Sequence, residues 1–227
     1  MSQYNFEGQP EGDWEDRGDL SWSEQDWQQF LNRRENEIVR FLKVYDACPQ
    51  DEMQRLDAVA REMGWDAEDW SVQDGGLDDE DEEEIENDRD NDPYTLHRHP
   101  VFIAAIGLLT QVRYFWRQYL KDHKETVDPL ASWDFSDCLT EAERHSLLAM
   151  QSMEVGDYRL CIIHFKRCLR GINLGMGQLP ALCPDAAIPS QLLDGIRTRM
   201  FDVREVALRV MEDCRMSVRR GDFGEGE

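Results

Sequence analysis

The sequence predicts an all-α protein, an antiparallel bundle of five or six helices. Three observations carry that expectation. Apolar residues recur at i, i+3 or i+4, and i+7 in segment after segment. Serine, threonine, aspartate, proline and glycine stand where helices should start and stop. No stretch of useful length alternates apolar with polar residues as a half-buried strand does.

Residues 1–20 lack periodicity and hold Gly8, Pro10, Gly12 and Gly18, so disorder is expected there. Ser21-Trp22-Ser23-Glu24 fits a capping box, with Glu24 three residues after Ser21. The helix it opens carries Trp27, Phe30, Leu31, Ile38, Phe41, Leu42 and Tyr45 and stops at Cys48-Pro49. A shorter helix runs from about Gln50 to Met63, with Met53, Leu56, Val59 and Ala60 on one face and Gly64 as its stop. Residues 21–63 should therefore form a helical hairpin packed on a main bundle. Residues 64–93 have no sustained period and read as an acidic loop or linker.

The main bundle is expected over 94–220. Pro100 suits a first helical turn, where its missing N–H costs nothing. The segment it opens is apolar nearly all round at first, from Val101 to Leu109, which belongs at a bundle centre. Asp128-Pro129 starts a short element. Thr140-Glu141-Ala142-Glu143 reads as a second capping box, opening a helix with Leu147, Leu148, Met150 and Met153. Gly156-Asp157 makes a tight turn into a helix with Tyr158, Cys161, Ile162, Phe165, Cys168 and Leu169. Gly171, Gly175, Gly177, Pro180 and Pro184 make 171–187 loop-like. Pro189 opens the last helix, with a stripe of Leu192, Ile196, Met200, Val203, Val206, Val210 and Cys214. Residues 221–227 are expected to be a loose tail.

Charge is distributed unevenly along the 227 residues. Residues 1–93 hold 30 Asp and Glu against 8 Lys and Arg, whereas 94–227 hold 18 against 17. Eleven acids and one base crowd residues 78–92. A net charge of −23 argues against nucleic acid and anionic membrane as partners, because both require clustered Lys and Arg. The first twenty residues are polar and acidic, unlike a secretory leader. The longest apolar run, Val101–Leu109, is far too short to span a bilayer. Six cysteines without a CxxC fall mostly on apolar helix faces. They read as reduced thiols of a cytoplasmic protein.

The segment 145–173 resembles a single tetratricopeptide repeat, a helix-turn-helix unit of about 34 residues. The residues that carry the likeness are Ser146-Leu147-Leu148-Ala149, the turn Gly156-Asp157-Tyr158, and Cys161, Phe165 and Cys168. Ser152 and Asn173 depart from the pattern, Cys stands for Ala at both small positions, and no second copy follows. The resemblance implies a helix hairpin that binds a peptide or protein, and it brings no catalytic residues.

Motifs for chemistry are sparse. Asp88, Asp90 and Asp92 have the spacing that starts an EF-hand loop, but Pro93 and His99 occupy the places of its glycine and bidentate glutamate. No Walker A or G-x-S-x-G sequence occurs, so no cofactor is expected. His97, His99, Glu141, His145 and His164 are the candidate metal ligands. They would be the site in a metal-binding or enzymatic reading.

After residue 93 there are 14 Arg and 3 Lys. Arg113, Arg117, Arg144, Arg159, Arg167, Arg170, Arg197 and Arg204 fall on expected helices, many beside the apolar stripe. Pairing with neighbouring acids accounts for some of them. As a group they form a candidate interaction face, because guanidinium groups pair bidentately with carboxylates. The leading functional expectation is a non-catalytic interaction or scaffold protein. Its groove would lie between the hairpin 141–171 and the last helix, facing a protein or peptide, acidic if the arginines make the contact. A further expectation lets the run 78–92 fold back over these arginines. A structural homo-oligomer, as small as a homo-dimer, is the third reading.

Overall fold

A computed structural model describes residues 22–48, 54–65, 96–123, 125–182 and 190–224. The expectations for residues 1–20, for the acidic run 78–92 and for Pro189 as a helix start lie outside the described residues. Six α-helices make up the described fold: α1 (Glu24–Ala47), α2 (Arg55–Met63), α3 (Pro100–His123), α4 (Pro129–Glu154), α5 (Tyr158–Leu182) and α6 (Ser190–Gly224). A short 3-10 turn, Leu96–Arg98, leads into α3. No strand occurs among the described residues, and none of their helices is long and apolar enough to cross a membrane.

The start of α1 is capped two residues later than the sequence suggested. Ser23, not Ser21, is the cap, and Asp26 closes the box. The Asp26 N–H donates to the Ser23 hydroxyl over 3.3 Å, and the Ser23 N–H donates to the Asp26 carboxylate over 2.9 Å. Trp22, just outside the cap, packs on Trp27 at 5.1 Å between ring centroids. That is a hydrophobic staple, which fixes how the chain enters the helix. α2 begins at Arg55, and Gly64 ends it at φ +79°.

Further corrections concern the back half. α4 does not begin at Thr140. Asp128 caps it by accepting from the Ala131 N–H over 2.9 Å, and the helix then runs unbroken through Thr140. The Thr140 hydroxyl donates to the Ser136 carbonyl one turn back, so it is not free to cap anything.

α5 continues through the glycines read as a loop. A Cβ at Gly171 would lie 2.8 Å from the Cys138 carbonyl oxygen, and one at Gly175 would lie 3.0 Å from Met200. These two glycines are contact points between helices rather than breaks. α6 likewise runs on to Gly224, so 221–224 are helical and not a loose tail. Its buried residue near the start is Leu193 instead of Leu192.

α4 and α5 form the tightest pair, an antiparallel hairpin turned at Gly156 (φ +76°). α5 packs on α6, α6 on α3, and α3 on α4, which closes a ring of four helices. Phe135, Leu139, Phe165, Ile172, Met200 and Val206 are among the side chains filling its interior. α1 lies outside on α3 and carries α2.

A buried polar network ties these outer helices to α6. Arg55 donates to Asp202 over 2.8 Å and to the Tyr45 hydroxyl over 3.2 Å, and the same hydroxyl donates to Asp202. Arg199, only 3% exposed, donates to Asp46 and Gln111 and to the Gly195 carbonyl. Its guanidinium lies over the rings of Phe115 and Tyr45. Burial, and then the charge of Asp202, hold the Tyr45 phenol protonated far above its usual range.

Two stability outcomes follow. Gly171→Ala should lower the unfolding free energy by about 1–3 kcal/mol, since a backbone oxygen is in the way. Gly177→Ala, with nothing within 4 Å, should raise it by up to about 1 kcal/mol. Equal effects would contradict the packing role of Gly171. Asp202→Ala strands a buried guanidinium and should cost about 3–5 kcal/mol. Asp194→Ala, from an exposed pair, should stay within about 0.5 kcal/mol on the same urea curves.

Candidate functional site

α4 is the shared wall of two arginine-edged clefts. Between α4 and α5 a cleft of about 440 Å3 is lined by Asp137, Cys138, Glu141 and His145 on one side and Arg167, Arg170, Gly171 and Leu174 on the other. Its existence follows from helical spacing. Asp137, Glu141 and His145 recur every four residues on α4, and Arg167, Arg170 and Leu174 recur at three and four on α5. Between α3 and α4 a second cleft of about 430 Å3 is lined by Arg113, Trp116, Arg117, Leu120, Ser136, Leu139, Thr140 and Glu143.

The arginine face expected from sequence is thus divided. Arg113 is ion-paired with Glu143 and donates to Thr140 over 3.4 Å. Arg144 pairs with Glu141 at 2.9 Å, and Arg197 with Asp194 at 3.8 Å. Arg159 is exposed in the first turn of α5. Arg204 is half-buried on α6, away from both cleft linings. Arg117, Arg167 and Arg170 are exposed at the cleft rims, and no carboxylate of the described residues pairs with them.

The groove expected between the hairpin and the last helix is filled instead. Gly175 lets Met200 approach, and the Cys161 and Cys214 sulfurs meet at 3.6 Å, so α6 closes on α5 as core.

The candidate histidines separate into two groups. His97 lies edge-on to Phe102 at 4.9 Å and lines an apolar groove of about 480 Å3 with Leu31, Ile38 and Leu42. Burial, and then Arg34, lower its pKa. His99 accepts from the Val101 N–H over 3.2 Å through Nδ1, which occupies it at the start of α3. His145 and His164 do come together, with their Nδ1 atoms 3.1 Å apart. The Nε2 of His145 stands 3.5 Å from Glu141 and 3.4 Å from Arg144. Among the described residues no group of three His, Cys, Asp or Glu side chains is placed to hold a metal ion.

Electrostatics keep this pair neutral. Burial is the main cause that lowers the pKa of His145, with Arg144 next and Glu141 opposing. Burial, Arg167 and Arg144 lower that of His164. Two neutral rings satisfy the contact with one Nδ1–H donated to the other's lone pair. Two imidazolium ions would set N–H against N–H. The thiols nearby are not activated: burial, then Asp137 and Asp134, raise Cys138, and burial pushes Cys168 up to about 12. The cleft therefore offers hydrogen-bond donors and cations and no primed nucleophile.

Reading the sequence missed Trp116 and Arg199. Trp116 lies on α3 beyond the apolar run Val101–Leu109, and Arg199 lies one residue before the apolar Met200. A basic residue inside an apolar stripe is the signal that marks Arg199. Nothing in sequence marks the indole. No protein-family model matches the chain, and neither the curated proteins nor the solved structures contain a match.

The histidine pair sets a pH dependence. Both folded pKa values lie below the ordinary value of about 6.5, so the unfolded chain binds more protons beneath that pH. Stability should be flat above about pH 6.5 and fall as pH drops through the folded pKa values. Urea midpoints between pH 5 and 7.5 check this (about that span covers both states). His145→Gln should reduce the slope in that window, with His164 and His97 supplying the remainder, and an unchanged slope would contradict the assignment.

Proposed function

We propose that this chain is a non-catalytic interaction protein that receives an acidic segment of a protein partner in the α4–α5 cleft. The single observation behind the reading is the pair Arg167 and Arg170, exposed on the cleft rim and in ion-pair contact with no carboxylate of the described residues. An unpaired guanidinium gives up no internal bond when it meets a ligand, and its fork takes a carboxylate bidentately. The two stand three residues apart on one helix face, so one ligand turn can reach both. Asp137 and Glu141 make the opposite rim acidic, so the ligand is expected to lie along α5. The hairpin shape agrees with the peptide-binding role suggested by the tetratricopeptide resemblance. Its helices of 26 and 25 residues, however, are far longer than a 34-residue repeat accommodates. The free thiols Cys48, Cys138, Cys161, Cys168 and Cys214 favour a cytoplasmic setting.

A second reading has its own support. Trp27, Leu31 and Val39 are exposed on α1 beside the apolar α1–α3 groove, which suits a homo-dimer contact. Sedimentation velocity separates it from the first: a concentration-dependent dimer lost in Leu31→Glu and Val39→Glu would favour it.

The leading reading is tested by fluorescence anisotropy with a labelled peptide bearing a short run of glutamates and its glutamine counterpart. The acidic peptide should bind and the neutral one should not. Arg167→Gln with Arg170→Gln should weaken binding by about tenfold, in a salt-dependent way. Equal binding of both peptides, or no loss in the double variant, would overturn it.

A further inference from the structure

α5 carries a second stripe besides the one it buries. Its inner face runs through Cys161, Phe165, Cys168, Ile172 and Leu179. Leu160, Ile163, Arg167, Arg170 and Leu174 follow one another at intervals of 3, 4, 3 and 4 residues. That spacing sets them in one line on a different face of the helix, and the last three border the α4–α5 cleft. All five are exposed, and the apolar Leu160, Ile163 and Leu174 keep 43%, 44% and 52% of their surface. Intervals alternating between three and four residues make the seam that one helix offers to another. Leu160 and Leu174 are fourteen residues apart, so the seam stays open over about 21 Å.

The order along the seam is apolar, apolar, basic, basic, apolar. Its ends bury well against aliphatic side chains, and its middle pairs with carboxylates. A second copy of the seam does not supply them. Set parallel in register, or antiparallel about its middle, it would bring the arginines of one chain against those of the other, and such like-charge contacts are unfavourable. The spacing also selects the partner's conformation. Successive seam positions rise by about 5 Å on average, and a facing helix repeats at the same interval. An extended strand brings a side chain to one face only every 6.6 Å or so, about a quarter more, and falls out of register within the length of the seam. Asp137 and Glu141 on the opposite rim repel acid, so the partner's carboxylates are confined to the edge that faces α5.

We propose that the segment received beside the α4–α5 cleft is an amphipathic α-helix of about four turns that lies along α5. Two of its carboxylates, one turn apart, meet Arg167 and Arg170, and its aliphatic side chains cover Leu160, Ile163 and Leu174. This partner is a special case of the acidic segment proposed above and rests on that reading, to which it adds a conformation and apolar anchors.

Fluorescence anisotropy on the full chain tests it with labelled peptides built on alanine and glutamine. The matched peptide carries leucines and two glutamates at the spacing of the seam, and it is made in both orders, for parallel and for antiparallel docking. One isomer has the leucines moved to the opposite face, and another peptide has a proline at its centre that breaks the helix. In one of its two orders the matched peptide should bind about tenfold tighter than the isomer and the proline peptide, all at equal charge. Ile163→Gln with Leu174→Gln changes two exposed side chains and should erase that advantage while leaving the urea midpoint in place. If the glutamate run described above binds in preference to its glutamine counterpart, but the matched peptide binds no tighter than the isomer or the proline peptide, the helical partner is overturned and the acidic one stands. An advantage that survives Ile163→Gln with Leu174→Gln overturns the helical partner as well. If neither the glutamate run nor any matched peptide binds, both readings fall.

Discussion

The close approach of α5 to α4 at Gly171 is the constraint on which both clefts depend. Only a hydrogen fits there, because the Cys138 carbonyl oxygen would stand 2.8 Å from any Cβ. The approach lets Phe165 and Ile172 seal against α4 and makes this the most extensive helix pair of the fold. It also sets how far the rims separate on either side of the contact. Arg167 and Arg170 are held opposite Glu141 and His145 at a spacing that leaves about 440 Å3 between them. On its other side α4 meets α3, where the second cleft lies beside Trp116.

The charged groups of the back half divide by burial, and burial decides their role. Arg55 and Arg199 are desolvated and fully engaged by Asp202, Asp46, Tyr45 and Gln111. Such a network adds little net stability relative to an apolar core, but it is severely damaged when one partner is lost. It fixes α1 and α2 against α6 in one arrangement. Arg113, Arg144, Arg197 and Arg209 make partly or largely exposed pairs, which screening renders weak. Arg117, Arg167 and Arg170 make neither kind of contact, and they all border a cleft whose opposite wall is α4. Among the described residues, these clefts carry a charge balance of their own, distinct from the chain's net charge of −23.

Local signals were legible in the sequence because local chemistry suffices to make them. Pro100, Asp128-Pro129 and Gly156-Asp157 mark helix starts through a missing N–H, a capping carboxylate and a positive-φ turn. The apolar run on α3 and the α6 stripe from Ile196 onward matched the core for the same reason. Signals that depend on a distant neighbour were misread. Gly171 and Gly175 look like loop residues until α4 and α6 are placed beside them. Thr140 looks like a cap until Ser136 takes its hydroxyl. The pairing of His145 with His164, 19 positions apart, needs the hairpin register, and the stranded Trp116 N–H needs the full side-chain packing. The arginine excess was visible, but its division into buried, paired and open groups is a property of the tertiary structure alone.

That division is the central claim, and arginine-selective footprinting with phenylglyoxal, read by mass spectrometry, measures it most directly. In the free protein Arg117, Arg167 and Arg170 should be modified quickly, while Arg55 and Arg199 stay intact until the chain unfolds. A glutamate-rich peptide should then protect Arg167 and Arg170 while leaving exposed Arg40 and Arg219 reactive. Rapid modification of Arg199, or protection spread evenly over every exposed arginine, would contradict the account.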